Sequence, residues 1–191
     1  MYIPINSLRL LFKYLSEDFK ASNSKWFINP VRWFLGEDGA RMQGYIYVLR
    51  ILEYFCNKYN SSKYSRFLFF PFYIIFIVWH RRQSYKYNVH IDPNTCDYGL
   101  YIVHRGCIHI NALHVGKYCT ITQGVVLGQK NGVENRPIIR DNVNLTLGCK
   151  VIGKVTIGDN TVVCPNSVVI KDLPSNVIAS GVPINIIKER K

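Results

Sequence analysis

The residues best able to do chemistry lie between positions 90 and 114, where the chain reads HIDPNTCDYGLYIVHRGCIHINALH. His104, His109 and His114 follow one another at five-residue steps, Asp92 and Asp97 precede them, and Cys107 stands three residues after His104. Imidazole, with a reference pKa of about 6.5, carries protons near neutrality and also ligates zinc. Three histidines make a zinc set only if their side chains converge. Ile108 and Ile110 bracket His109, so in a strand His109 faces away from them, and five-residue steps do not align three side chains on one face. His109 and His114 are therefore expected as solvent-facing or hydrogen-bonded structural residues, and no metal is expected. A Cys107–His104 nucleophile pair is set against the commoner fate of a cysteine, a small buried thiol, and the buried thiol is the expectation. His104 itself is different. The stretch LYIVHRGCIHIN (100–111) alternates like a half-buried strand, breaks at His104-Arg105-Gly106 and then resumes, which sets the histidine at a corner.

A corner needs a scaffold, and a repeat supplies one. Val115, Ile121, Leu127, Val133, Ile139, Leu145, Val151, Ile157, Val163 and Val169 are all aliphatic and all six residues apart. Two positions before the later members stand Val143, Cys149, Val155, Thr161 and Ser167, each small or β-branched. Six is neither the helical nor the strand period, but it fits a coil of three short strands, about six residues each with its corner. Each aliphatic side chain then points into a triangular prism and stacks on its counterpart one coil later. Gly, Asn and Asp in IGDN and CPNS suit tight corners. The alternative, an ordinary sandwich with fortuitous spacing, has ten successive matches against it.

At 191 residues and 48% apolar composition the chain fits one domain with an appendage. The net charge of +12 points to an anionic partner, whether nucleic acid, an acidic membrane surface, a phosphorylated cofactor or an acidic glycan. No DNA- or RNA-binding signature accompanies it, so nucleic acid is not expected. Six cysteines without a CxxC pair read as free thiols of a reducing cytosol. The start MYIPINSLRLLFKYLSEDF lacks a signal-peptide layout, so a cytoplasmic protein is expected. Composition changes near residue 88. Before it, NSLRLLFKYL and MQGYIYVLRILEYFCNKY space their apolar residues as amphipathic helices. The segment FLFFPFYIIFIVW (67–79), flanked by Lys63, Arg66, Arg81 and Arg82, is shorter than the ~20 residues that span a bilayer and is interrupted by Pro71. Two readings stay open for it: a core helix packed on the second half, or an interfacial segment whose basic flanks meet anionic lipid at the cytoplasmic membrane.

The motifs VVLGQK, VIGKVTIGDNTVVCPNSVVIKDLPSN and IASGVPINII resemble the hexapeptide-repeat acyltransferases, and GLYIVHRGCIHIN followed by TITQGVVLG is similar to their serine acetyltransferase branch. That branch includes O-acetyltransferases of capsule and exopolysaccharide synthesis. The resemblance implies a mainly-β fold: a left-handed parallel β-helix over 88–187, preceded by an α-helical region over 1–87 and followed by a basic tail at 188–191. It also implies acetyl-CoA as co-substrate and a homotrimer with sites between neighbouring prisms. His104, after Gly99, matches the family's general base, which removes a hydroxyl proton while backbone N–H groups stabilise the oxyanion. Gly128, Leu147, Gly148 and Pro165 match turns that hold the pantetheine arm. Gly181 to Pro183 match the segment closing over the adenine end, where Lys188 or Arg190 would meet phosphates.

The match has gaps. Serine acetyltransferases read Asp-Ile-His-Pro ahead of the base, whereas this chain has HIDP, with His90 in place of the aspartate and a spacing from Pro93 to His104 one residue shorter. Asp92 is the first candidate to orient His104 and Asp97 the second. The acid before the catalytic histidine and the second histidine of the following loop are Val103 and Arg136 here, and both features bind serine in that family. The expected acceptor is therefore a sugar hydroxyl of a capsular or exopolysaccharide repeat, with serine or another small alcohol as the alternative. On the same β-helix, gamma carbonic anhydrases use a His-x4-His pair and a third histidine for zinc. That class and a non-catalytic scaffold are the remaining alternatives.

Overall fold

The computed structural model describes residues 4–22, 31 and 34–190. Among the described residues three helices of eight residues or more precede a run of short strands. Helix α1 (Leu8–Ala21) starts at Ser7, whose hydroxyl accepts from the Leu10 N–H at 3.3 Å, an N-cap. It buries Leu11, Tyr14 and Asp18, one helical stripe. Helix α2 (Asp38–Tyr59) is the central element, with Met42, Tyr45, Ile46, Leu49 and Leu52 buried. Helix α3 (Lys63–Tyr87) is capped by Ser62 and stops at Asn88, which adopts the left-handed conformation. Pro71, expected to interrupt the segment, lies inside an unbroken helix. Phe69, Phe72 and Phe76 on either side of it pack on Phe55 of α2 at ring separations of 6.2, 5.3 and 5.3 Å, which holds both flanking turns in place.

Strands β1 (Val89–Ile91) to β14 (Asn185–Glu189) follow, two to five residues each. They form three sheets, ordered β1-β3-β6-β9-β12, β4-β7-β10 and β2-β5-β8-β11-β13-β14, with every pair parallel except β13 with β14. The register puts like on like. Ile102 lies beside Ile121, then Leu145 and Val163, while Leu127 lies beside Val151 and then Val169. All are buried, and so are Val143, Cys149, Val155, Thr161 and Ser167 two positions back. The six-residue period is thus a prism of stacked aliphatic columns.

Val133 is the exception. It is 61% exposed and sits in a 3-10 turn (Val133–Asn135) within the loop between β6 (Val126–Gly128) and β7 (Ile138–Ile139). Along the chain the next interior aliphatic after Leu127 is Ile139, which stacks in the neighbouring column between Val115 and Ile157, and the loop keeps the numerical period without supplying a strand. Strand β14 extends to Glu189, so Lys188 of the expected tail belongs to the last sheet.

A buried ion cluster joins helices to prism. Arg50, with no exposed surface, meets Asp18 at 2.8 Å and Glu53 at 3.0 Å and donates to the carbonyls of Cys96 and Asp97, both at 2.7 Å. Asp18 accepts from the Leu100 N–H and Glu53 from the Asn94 N–H, each at 2.9 Å. Burial disfavours the guanidinium charge, yet the two carboxylates hold it above its ordinary range. The chain from Asn94 to Leu100, which feeds into His104, is fixed from beneath by this cluster.

Candidate active site

Gly99 opens the approach to His104. Its φ is 78°, and a Cβ there would overlap the Tyr118 ring, so only glycine fits. After β2 (Tyr101–Ile102) the chain turns a prism edge through Val103, His104, Arg105 and Gly106 into β3 (Ile108–Ile110). His104 stands on that edge with its side chain 56% exposed, open to a substrate.

The same edge recurs in each later coil. Gly124 donates to the Gly106 carbonyl at 2.9 Å, Gly148 to Gln123 at 3.0 Å and Asn166 to Leu147 at 2.8 Å, while the Gly181 carbonyl accepts from Val168 at 3.1 Å. Leu147, Gly148, Pro165 and Gly181 therefore lie on one line with His104. Coils rise by about 4.8 Å, so the line from His104 to Gly181 runs roughly 19 Å. It is flat where glycine sits: a Cβ on Gly124 would come within 3.2 Å of the Gly148 Cα, and one on Gly148 would collide with Asn166. A narrow chain such as a pantetheine arm fits against such a wall. Gly128 is off this line, at the far end of β6, where an added Cβ would meet Ile152 at 3.0 Å. Lys188 pairs with Ile178 at the start of β13 (Val177–Ser180), also away from the edge.

The carboxylate beside His104 is Asp38, the first residue of α2. Its oxygens lie 3.8 Å from His104 Nδ1 and 3.0 Å from Arg105 Nε. The first is an ion-pair distance rather than a hydrogen bond. The structure does not place Asp92 or Asp97 at this position. Asp92 follows β1 and lines a cavity of about 260 Å³ with His80, Arg81 and His90. Asp97 is buried, accepts from the Tyr14 hydroxyl at 2.7 Å and faces His114 Nε2 at 3.8 Å.

The remaining groups separate. His109 projects from the outer face of β3 with its ring 6.0 Å from that of His90, and His114 begins β4 (His114–Val115) on another sheet. Burial lowers the His114 pKa despite Asp97. Among the described residues no group of three His, Cys, Asp or Glu side chains could hold a metal ion. Cys107 is exposed, not buried as expected, because the edge puts it at φ 53° with its sulfur toward the Asn88 amide at 3.3 Å. Sequence reasoning missed Asp38 and the Arg50 cluster. The cluster had a signal, since Asp18 and Arg50 interrupt the apolar stripes of their helices; Asp38 had none.

No family model matches the chain. A serine acetyltransferase of Buchnera aphidicola is 39% identical over 183 residues, 92% of this chain and 64% of that protein. One from Synechococcus elongatus is 37% identical over 92 residues, covering 47% of this chain and 38% of the relative. The relatives are serine acetyltransferases. The chain matches less than two thirds of the length of either. Among solved structures, a serine acetyltransferase from Brucella abortus superposes with a TM-score of 0.76 at 22% identity, over 96% of this chain and 71% of that one. A serine acetyltransferase in complex with CoA gives 0.71 at 21% identity, over 94% and 71%. The chain thus resembles the serine acetyltransferase branch of the hexapeptide-repeat acyltransferases, and its fold is the left-handed parallel β-helix with a helical N-terminal region.

Proposed function

We propose that the chain transfers an acetyl group from acetyl-CoA to a hydroxyl, with His104 as general base. The observation that carries this reading is the single edge on which His104, Gly148, Pro165 and Gly181 line up, in a fold shared with serine acetyltransferases. The donor supplies an activated thioester. His104 takes the hydroxyl proton as the oxygen attacks the carbonyl carbon, a C–O bond replaces the C–S bond, and the proton returns from the imidazole to the departing thiolate. Asp38, on the Nδ1 side, favours the imidazolium that forms between the two transfers. An acetyl-CoA donor is met in the cytoplasm, where the reaction is placed.

Serine is the acceptor that the relatives favour, which reverses the expected order of sugar before serine. A sugar hydroxyl stays as the second reading because Val103 precedes His104 where those enzymes carry an acid, and Arg136 is turned back onto the Val133 carbonyl at 2.9 Å. CoA release by the purified protein, measured with serine and with nucleotide-linked sugars or oligosaccharides, decides between them. Serine-dependent release supports the first reading, and release with a sugar but not with serine overturns it. His104→Ala should lower turnover by about 10²–10⁴-fold while CoA affinity stays within a few fold. Near-normal turnover in that variant would remove His104 from the mechanism.

A further inference from the structure

Helix α3 leaves one side uncovered. Phe69, Tyr73, Phe76, His80, Ser84 and Tyr87 form the stripe turned inward, with ring stacks onto Phe55 and Tyr59 and burial at the last three positions. The opposite side is as apolar as the inner one. Phe67 is 88% exposed, and Leu68, Ile74, Ile75 and Val78 are also exposed. A helix apolar all round belongs in a core, in a membrane or against a partner. The stretch Phe67–Trp79 extends about 20 Å at 1.5 Å per residue, short of the ~30 Å hydrocarbon core. No helix among the described residues is long and apolar enough to cross a membrane.

Charge selects the occupant. The apolar side is bracketed by exposed Lys63 and Arg66 at one end and exposed Arg81, Arg82 and Lys86 at the other, and the 25-residue helix contains no Asp or Glu. A second copy docking the same side across a two-fold axis would set Lys63 and Arg66 against Arg81 and Arg82 at both ends, with no acid between them. An anionic lipid surface has the opposite property: it accepts the apolar middle at the headgroup boundary and neutralises both basic ends. We propose that the outer side of α3 is a peripheral docking surface for an anionic membrane, with the helix lying in the plane of the interface. This does not depend on which hydroxyl is acetylated.

The test is co-flotation of the full chain with vesicles of phosphatidylcholine alone or with phosphatidylglycerol, at 0.05 and 0.5 M salt, conditions chosen to span the screening range. Binding to the anionic vesicles, at least tenfold weaker at high salt and absent from neutral ones, is the expected result. Ile75→Asp and Val78→Asp should each abolish it, and Arg81→Gln with Arg82→Gln should weaken it at least tenfold, while thermal unfolding and CoA release match the parent. Lack of binding at low salt, or binding untouched by these variants, overturns the proposal. So does an oligomer that dissociates in Ile75→Asp, which would make a second copy the occupant. If Ile75→Asp does not fold, the Arg81→Gln, Arg82→Gln pair carries the same decision.

Discussion

His104 was legible because a strand alternation broken by Arg105-Gly106 marks a corner, and a corner keeps its side chain outside the prism. Its carboxylate was not legible. Asp38 lies in the helical region, 66 positions earlier, and only the packing of α2 onto the prism brings it to 3.8 Å. Asp92 and Asp97 were nearer in sequence, but the Arg50 cluster fixes the intervening loop so that each points elsewhere. The weight of Asp38 follows from its exposure. A half-exposed ion pair contributes up to about 1 kcal/mol, which is roughly fivefold in rate, far below what a buried carboxylate would give. Asp38→Asn should therefore lower kcat about fivefold and leave KM for acetyl-CoA within twofold, measured by CoA release. An unchanged kcat would show that Asp38 serves Arg105 alone.

At the scale of elements, the aliphatic hexads were readable because interior columns admit little else at their positions, whereas Val133 shows the limit of counting. A loop whose length happens to preserve the period is indistinguishable from a strand until its pairing is seen. The helices were readable as amphipathic stretches, but the inward face of α3 hides a titrating group. His80 is 6% exposed, its ring lies 5.1 Å from that of Tyr45, and its Nε2 is buried without a hydrogen-bond partner. Burial pulls its pKa down to about 4, opposed by Asp92 and aided by His90 and Arg81. The unfolded chain, with a value near 6.5, binds the proton first as pH falls, so stability is full above about pH 6.5 and is lost progressively toward pH 4. A shift of that size corresponds to about 3 kcal/mol. His80→Phe keeps a ring against Tyr45 and removes the titration. Urea midpoints between pH 4 and 7 should decline less steeply in the variant, and parallel slopes for both proteins would mean that another group dominates.

At the scale of the molecule, the two parts of the chain divide the labour. The helical part carries eight of the twelve net positive charges, the buried Arg50 cluster and Asp38, while the prism supplies the edge and the histidine. One prism, however, is convex at every edge. A ligand laid along the line from His104 to Gly181 has a wall on one side only, and both the thioester and the developing charge would stay in water, where fixed dipoles act weakly. We propose that a second wall comes from another chain. Closed three-fold symmetry is the simplest arrangement in which each edge faces a neighbour and every copy is used alike. The expected species in sedimentation velocity is three times the 22.1 kDa chain mass. On this proposal each site is shared by two chains, so specific activity should fall on dilution wherever that species dissociates. A monomer that retains full turnover would show that one edge suffices, and the flat glycine wall would then have to hold the donor alone.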